Sequence, residues 1–200
     1  TLGYQPPQTF SYDPEEAKRL LAEAGYPNGE GFPSFEILYN TLDEHRRIAV
    51  AIQEMWRQNL GINVELLNQE WRVYLDSQDN MNYDVSRRGW IGDYVDPNSF
   101  LDMMITGGGN NKTGFSDPRY DDLVLNVAPS KLDESERFEA YYEAETILME
   151  DMPIIPLYTY QSRHFRHPSL KGLPPNILDY YNWKYVYLEP MPEFDIPDEL

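Results

Sequence analysis

The sequence predicts an α/β fold with a mixed, mostly parallel sheet flanked by helices, on three observations. Residues 35–39 and 62–66 alternate in the manner of strands, and between them Ile48, Ile52, Met55, Trp56 and Leu60 recur at helical spacing. Strand, helix and strand within about thirty-five residues is a βαβ unit, so the two strands are expected to be parallel neighbours joined by a right-handed crossover. Third, residues 83–88 read as another strand, which ends at Gly89 in a loop before Pro97, Asn98 and Ser99 restart a helix.

The totals fit one sizeable core: 200 residues, 41% hydrophobic and 14% aromatic. Thirty-four acidic against sixteen basic side chains give a net charge of −18, which argues against nucleic-acid binding because a phosphate backbone needs a basic face. Cysteine is absent, which removes disulfides, thiolate catalysis and cysteine-based zinc sites. His45, His164 and His167 lack a ligand spacing with carboxylates, so no metal and no cofactor are expected. No apolar run approaches the roughly 18 residues of a membrane span. The chain opens at Thr1 without a signal-peptide pattern and reads as a processed or truncated piece.

In order, residues 1–12 carry Gly3, Pro6 and Pro7 and form an irregular lead. Asp13, Pro14 and Glu16 predict a capped helix with a reciprocal Glu, buried through Ala17, Leu20, Leu21 and Ala24 and stopped at Gly25. The βαβ unit follows, its helix ending at Gly61, and then a short helix over 70–77 and the 83–88 strand. Residues 107–111 are a flexible loop without the Lys-Ser/Thr of a phosphate-binding loop. Asp117-Pro118 caps another helix, and Asp133 with Glu136 opens a long one. Pro153 and Pro156 frame an edge strand over 154–160, and Trp183, Tyr185 and Tyr187 mark a last strand. Residues 189–200 are acidic and proline-rich and are expected to form a disordered tail.

Side chains beyond the end of the 83–88 strand stand where ligands of open α/β sheets bind. From spacing alone Asp93, between Gly92 and Tyr94, is either a turn residue or an acceptor for an ammonium group. Trp90 is either core or a pocket wall. Arg87 and Arg88 point to opposite faces, one free to serve a site and the other solvated, or Arg87 pairs with Asp84. Tyr158 and Tyr160 share a face, for packing or for a hydrogen bond to a ligand. His45, at the start of its helix, is solvated or helps to hold an anion.

The pattern Asp84-Val85-x-Arg87-x-Gly89-Trp90-x-x-Asp93-Tyr94-x-x-Pro97-x-x-Phe100-Leu101 resembles the ligand-binding segment of oligopeptide-binding proteins, the extracellular family 5 solute-binding components of peptide ABC importers. The resemblance runs from Asp13 to about Leu188 and is specific around 84–101, 35–56 and 64–75. It implies a periplasmic-binding-protein-like (type II) lobe over 13–188, the carboxyl-terminal part of a two-lobed protein, with residues from about 161 returning toward a missing N-terminal lobe. It further implies that Asp93 takes a peptide's α-amino group, that Arg87, Tyr160 and His45 belong to the site, and that Trp71 lines a side-chain pocket. The backbone at Gly89 and Ile91 would pair with the ligand as an added strand. Gln78 departs from the pattern, since some oligopeptide binders carry an Arg there for the ligand's carboxyl end. The implied partners are a small peptide and the membrane permease of an importer, and the implied location is periplasmic or extracellular, with lipid anchoring to the cell surface one form of it.

Two other readings stand beside this one. Asp93 and Asp96 next to Trp90 suit a carbohydrate-active enzyme or a sugar-binding module, although both acids sit on one turn without the opposed geometry that glycoside hydrolysis needs. The acidic surface and the aromatic last strand suit a protein-interaction domain. The binding-protein reading predicts no catalysis.

Overall fold

Asp13 starts the first helix, α1 (Pro14–Glu23), by accepting the Glu16 amide N–H at 3.0 Å. The computed structural model describes residues 3–8, 10–161, 163–174, 176, 178 and 180–190. The expected capping box is half formed, because the Glu16 carboxylate turns to Arg19 at 2.6 Å instead of reaching back. Next come β1 (Phe35–Asn40), α2 (Asp43–Leu60) and β2 (Val64–Gln69). β1 and β2 pair in parallel from Phe35–Val64 to Asn40–Gln69, as the βαβ reading requires. The second strand starts and ends later than its alternation suggested, carried on to Gln69 by pairing with the whole of β1.

The next elements are α3 (Trp71–Asp79) and β3 (Val85–Ser86), which joins the other edge of β1 to give the order β2-β1-β3. β3 is shorter than the predicted run, although the Arg87 N–H still reaches the Leu38 carbonyl at 2.8 Å. One face of this sheet buries Ile37, Tyr39 and Val64 against Leu21 of α1 and Ile52, Trp56 and Leu60 of α2. On the other face Leu38 is fully buried, and α3 supplies Tyr74 and Gln78.

A second core is entirely helical. α4 (Asn98–Leu101) leads through a 3₁₀ turn to the 105–115 loop; α5 (Pro118–Asp122) continues through a π turn (Leu123–Val127) into α6 (Ala128–Ser130), and α7 (Glu134–Asp151) closes it. Tyr120, Val124, Ala128, Tyr141, Ala144 and Leu148 are buried here. The irregular lead packs onto α7 through Tyr4, whose hydroxyl donates to Glu145 at 2.5 Å and whose ring stands edge-on to Phe138 at 5.5 Å.

Two expected strands are not formed. Residues 155–161 are irregular: Pro156 offers no N–H, and Ile155, Leu157, Tyr158 and Tyr160 all stay exposed, so no buried face organises them. Near the end, the Asn182 side chain accepts the Lys184 N–H and turns Trp183–Tyr185 into a 3₁₀ helix. Only Tyr187–Leu188 (β5) then pairs, antiparallel, with Leu170–Lys171 (β4). Residues 191–200 of the expected tail lie outside the described residues. Among the described residues, no helix is long and apolar enough to cross a membrane.

Gly61 closes α2 with φ +70, and a Cβ on it would run into the Asn28 carbonyl oxygen. Gly61→Ala is therefore expected to cost about 1–2 kcal/mol for the left-handed backbone alone, and more as the 27–29 turn is displaced. Urea unfolding of the variant measures it.

Candidate ligand-binding site

The three parallel strands end at the same side of the sheet, Asn40 opposite Gln69 and Ser86 opposite Leu38, and the predicted site residues follow from these ends. Arg87 is half-buried directly after β3. Its carbonyl accepts the Tyr74 hydroxyl from α3, and its guanidinium donates to the hydroxyl of Tyr160. Tyr160 lies against Gly89, where a Cβ would sit 2.8 Å from the phenol oxygen. Only a glycine admits the ring this close. Tyr158 stands edge-on to Tyr160 at 5.4 Å.

The alternative Arg87–Asp84 pair is not formed; Asp84 accepts the Glu36 N–H at 3.0 Å instead. Arg88 is exposed and donates to the Asn110 carbonyl at 3.0 Å, tying down the glycine-rich loop. The two arginines thus divide as alternation suggested: one at the strand-end wall, the other on the periphery.

His45 sits within the first turn of α2, with Nδ1 2.9 Å from the Asn40 side-chain oxygen. Burial and then the Arg87 charge push its imidazole below the ordinary 6.5, against smaller upward pulls from Asn40 and Glu44. With a lowered folded-state pKa, the unfolded chain holds the proton to higher pH, so stability falls as pH drops through 6.5 toward the lowered value. His45→Gln is expected to remove that part of the pH dependence, read as a smaller difference between urea midpoints at about pH 5.5 and about pH 7.5.

Trp71 is 55% exposed and stacks on Tyr74 at 5.6 Å, so it joins the Arg87 group through the Tyr74 hydroxyl. Gln78 is buried and turned inward, donating to Tyr74 at 2.9 Å and to Ser86 at 2.8 Å. It braces the strand end and presents no charge.

Trp90 and Asp93 form a second group held by a residue whose role the sequence did not reveal. Ser99 of α4, 1% exposed, accepts the Trp90 indole N–H on its carbonyl at 2.7 Å and the Asp93 amide on its hydroxyl at 2.7 Å. Asp93 itself is exposed, and its charge adds to burial in pushing the Asp102 carboxyl up. Ile91 between them is 69% exposed. Seven residues of continuous chain, Arg87 to Asp93, join the two groups, but no contact puts the Asp93 carboxylate against Tyr160. Concavities of about 340 and 380 Å³ lie elsewhere, one under Tyr180 and Tyr185 and one beside Glu139 and Glu143. Trp71, Ile91, Asp93 and Tyr160 are all exposed, so the predicted residues make an open wall.

The carboxylate of Asp96 is committed to structure: one oxygen accepts the Asn98 N–H at 3.0 Å and the other the Arg137 guanidinium at 2.7 Å. A water-activating pair with Asp93 would need that oxygen free.

Residues 1–112 match the model of bacterial extracellular solute-binding proteins, family 5 middle. The chain is 40% identical over 158 residues to the periplasmic oligopeptide-binding protein OppA of Salmonella typhimurium, covering 79% of this chain and 29% of that protein. The solved Escherichia coli murein tripeptide binding protein MppA superposes with a TM-score of 0.83 at 37% identity, over 94% of this chain and 38% of that one. Haemophilus influenzae OppA, solved in complex with RPPGFSPFR, gives a TM-score of 0.77 at 34% identity over 92% of this chain and 37% of that one. The chain thus spans about a third of the length of the relatives it matches.

Proposed function

Because the chain belongs to family 5 of the bacterial extracellular solute-binding proteins, we propose that it is the carboxyl-terminal lobe of a receptor that captures small peptides between two lobes and delivers them to an ABC importer. The observation that carries this reading is the strand-end wall, where Arg87 bonds Tyr160, 73 positions away, and Tyr160 packs against Gly89. A peptide offers an ammonium end, a carboxylate end and a backbone in need of partners. Asp93, the Arg87 guanidinium and the open backbone around Gly89 and Ile91 answer these in turn, with His45 within electrostatic reach of Arg87, and Trp90 and Trp71 are the apolar walls.

The open wall suits one half of a cleft. The second lobe of the same protein would close it, with residues from about 161 crossing toward that lobe. Phe165, Tyr180 and Trp183, 103%, 76% and 69% exposed, support a covering partner there. The receptor works outside the cytoplasm, in the periplasm or on the cell surface, and performs no chemistry.

Isothermal titration of the full-length protein with pooled tri- to pentapeptides tests this, with saturable heat expected. Heat from glycosides but not from peptides would favour a sugar-binding module instead.

A further inference from the structure

We propose that Arg137, on helix α7, is a positioning residue that sets the Trp90–Asp93 loop for ligand capture. The ligand part of this assignment rests on the peptide-receptor reading above; the mechanical part does not. The Arg137–Asp96 bond of 2.7 Å joins side chains only 25% and 18% exposed and crosses 41 positions of sequence. The guanidinium is held over the rings of Phe138 at 5.3 Å and Tyr141 at 5.6 Å, so its place is dictated by the eighteen-residue helix that bears all three.

The link then passes through few bonds. The second Asp96 oxygen fixes the start of α4 through the Asn98 N–H, and the Asn98 side-chain oxygen accepts the Tyr141 hydroxyl at 3.3 Å. The next residue is Ser99, which alone receives both the Trp90 indole and the Asp93 amide. A shift of α4 by a fraction of a hydrogen-bond length would therefore move the proposed ammonium acceptor and its aromatic neighbour together. Partly buried ion pairs contribute little net stability against their desolvation cost, and they can select one arrangement over its neighbours. The Arg137–Asp96 pair has the place in the fold for that second role.

The test uses the full-length protein and the variants Arg137→Met, Arg137→Lys and the exchange Arg137→Asp with Asp96→Arg. Hydrogen exchange of residues 91–99 is expected to accelerate about tenfold or more in Arg137→Met, with the 35–40 strand unchanged, since only the local opening is made easier. Arg137→Lys and the charge exchange should recover part of the protection. Affinity for trialanine is expected to fall about tenfold in Arg137→Met, mainly through faster release. Unchanged exchange at 91–99 overturns the proposal. Equal acceleration in the sheet also overturns it, because Arg137 would then be a general staple. Wild-type protein indifferent to trialanine and to pooled peptides would sink the receptor reading, while the exchange data would still decide whether Arg137 sets the loop.

Discussion

Tyr120→Ala is expected to lower the unfolding free energy by about 4 kcal/mol, the scale of removing a buried aromatic ring. Tyr120 is fully buried between α4 and α7, edge-on to Phe115 at 5.3 Å, and its hydroxyl donates to the Leu101 carbonyl at 2.5 Å. Burial first, and then Asp102, Asp121 and Glu145, push its phenol above the ordinary range, so it remains a neutral donor. Alanine leaves both a cavity and an acceptor without its donor, and the midpoint of thermal unfolding should fall by about 10 °C in a chain of this size. Tyr120→Phe keeps the volume and isolates the hydrogen bond, at about 1 kcal/mol. Near-equal effects of the two variants would mean that the ring is not what the helical core packs around.

Asp93→Ala is expected to weaken peptide binding about 30-fold, about 2 kcal/mol, the scale of losing a buried hydrogen bond to a charged group. The substitution is clean for a structural reason. Asp93 is tied to Ser99 through its main-chain N–H, which alanine retains, so the loop should keep its course while the carboxylate disappears. Titration of wild type and variant with the same peptide pool measures the difference. Equal affinities would remove Asp93 from the site, whatever the ligand.

The parts of this fold written in local signals were legible. Asp13 with Pro14 and Asp133 with Glu136 mark helix starts that side-chain caps hold in the structure, and the alternation around Ile37 and Val64 marks the parallel pair. Elements whose length is set by a distant partner were not. β3 ends after two residues where its pairing with Leu38 ends, and residues 154–160 alternate without a sheet to receive them.

The candidate site divides in the same way. Arg87 and Tyr160 could be joined only through resemblance to a known pattern, because no periodicity links positions 73 residues apart. Ser99 looked like a helix start and is the hub for Trp90 and Asp93. Asp96 looked like half of a catalytic pair until α7 supplied its partner. Side chains whose meaning lies in tertiary hydrogen bonds carry no mark in the linear order of residues.

The terminal hairpin built on β4 and β5 sets conditions for handling the molecule. Arg166 bonds the Leu173 carbonyl and the Tyr181 hydroxyl, and Lys171 lies 3.7 Å from Glu189, so these ties close on the hairpin itself. Large rings standing in water make such a piece adhesive at bench concentrations. A recombinant product cut before residue 162 should stay monodisperse where a longer one clumps, as analytical ultracentrifugation of the two would show.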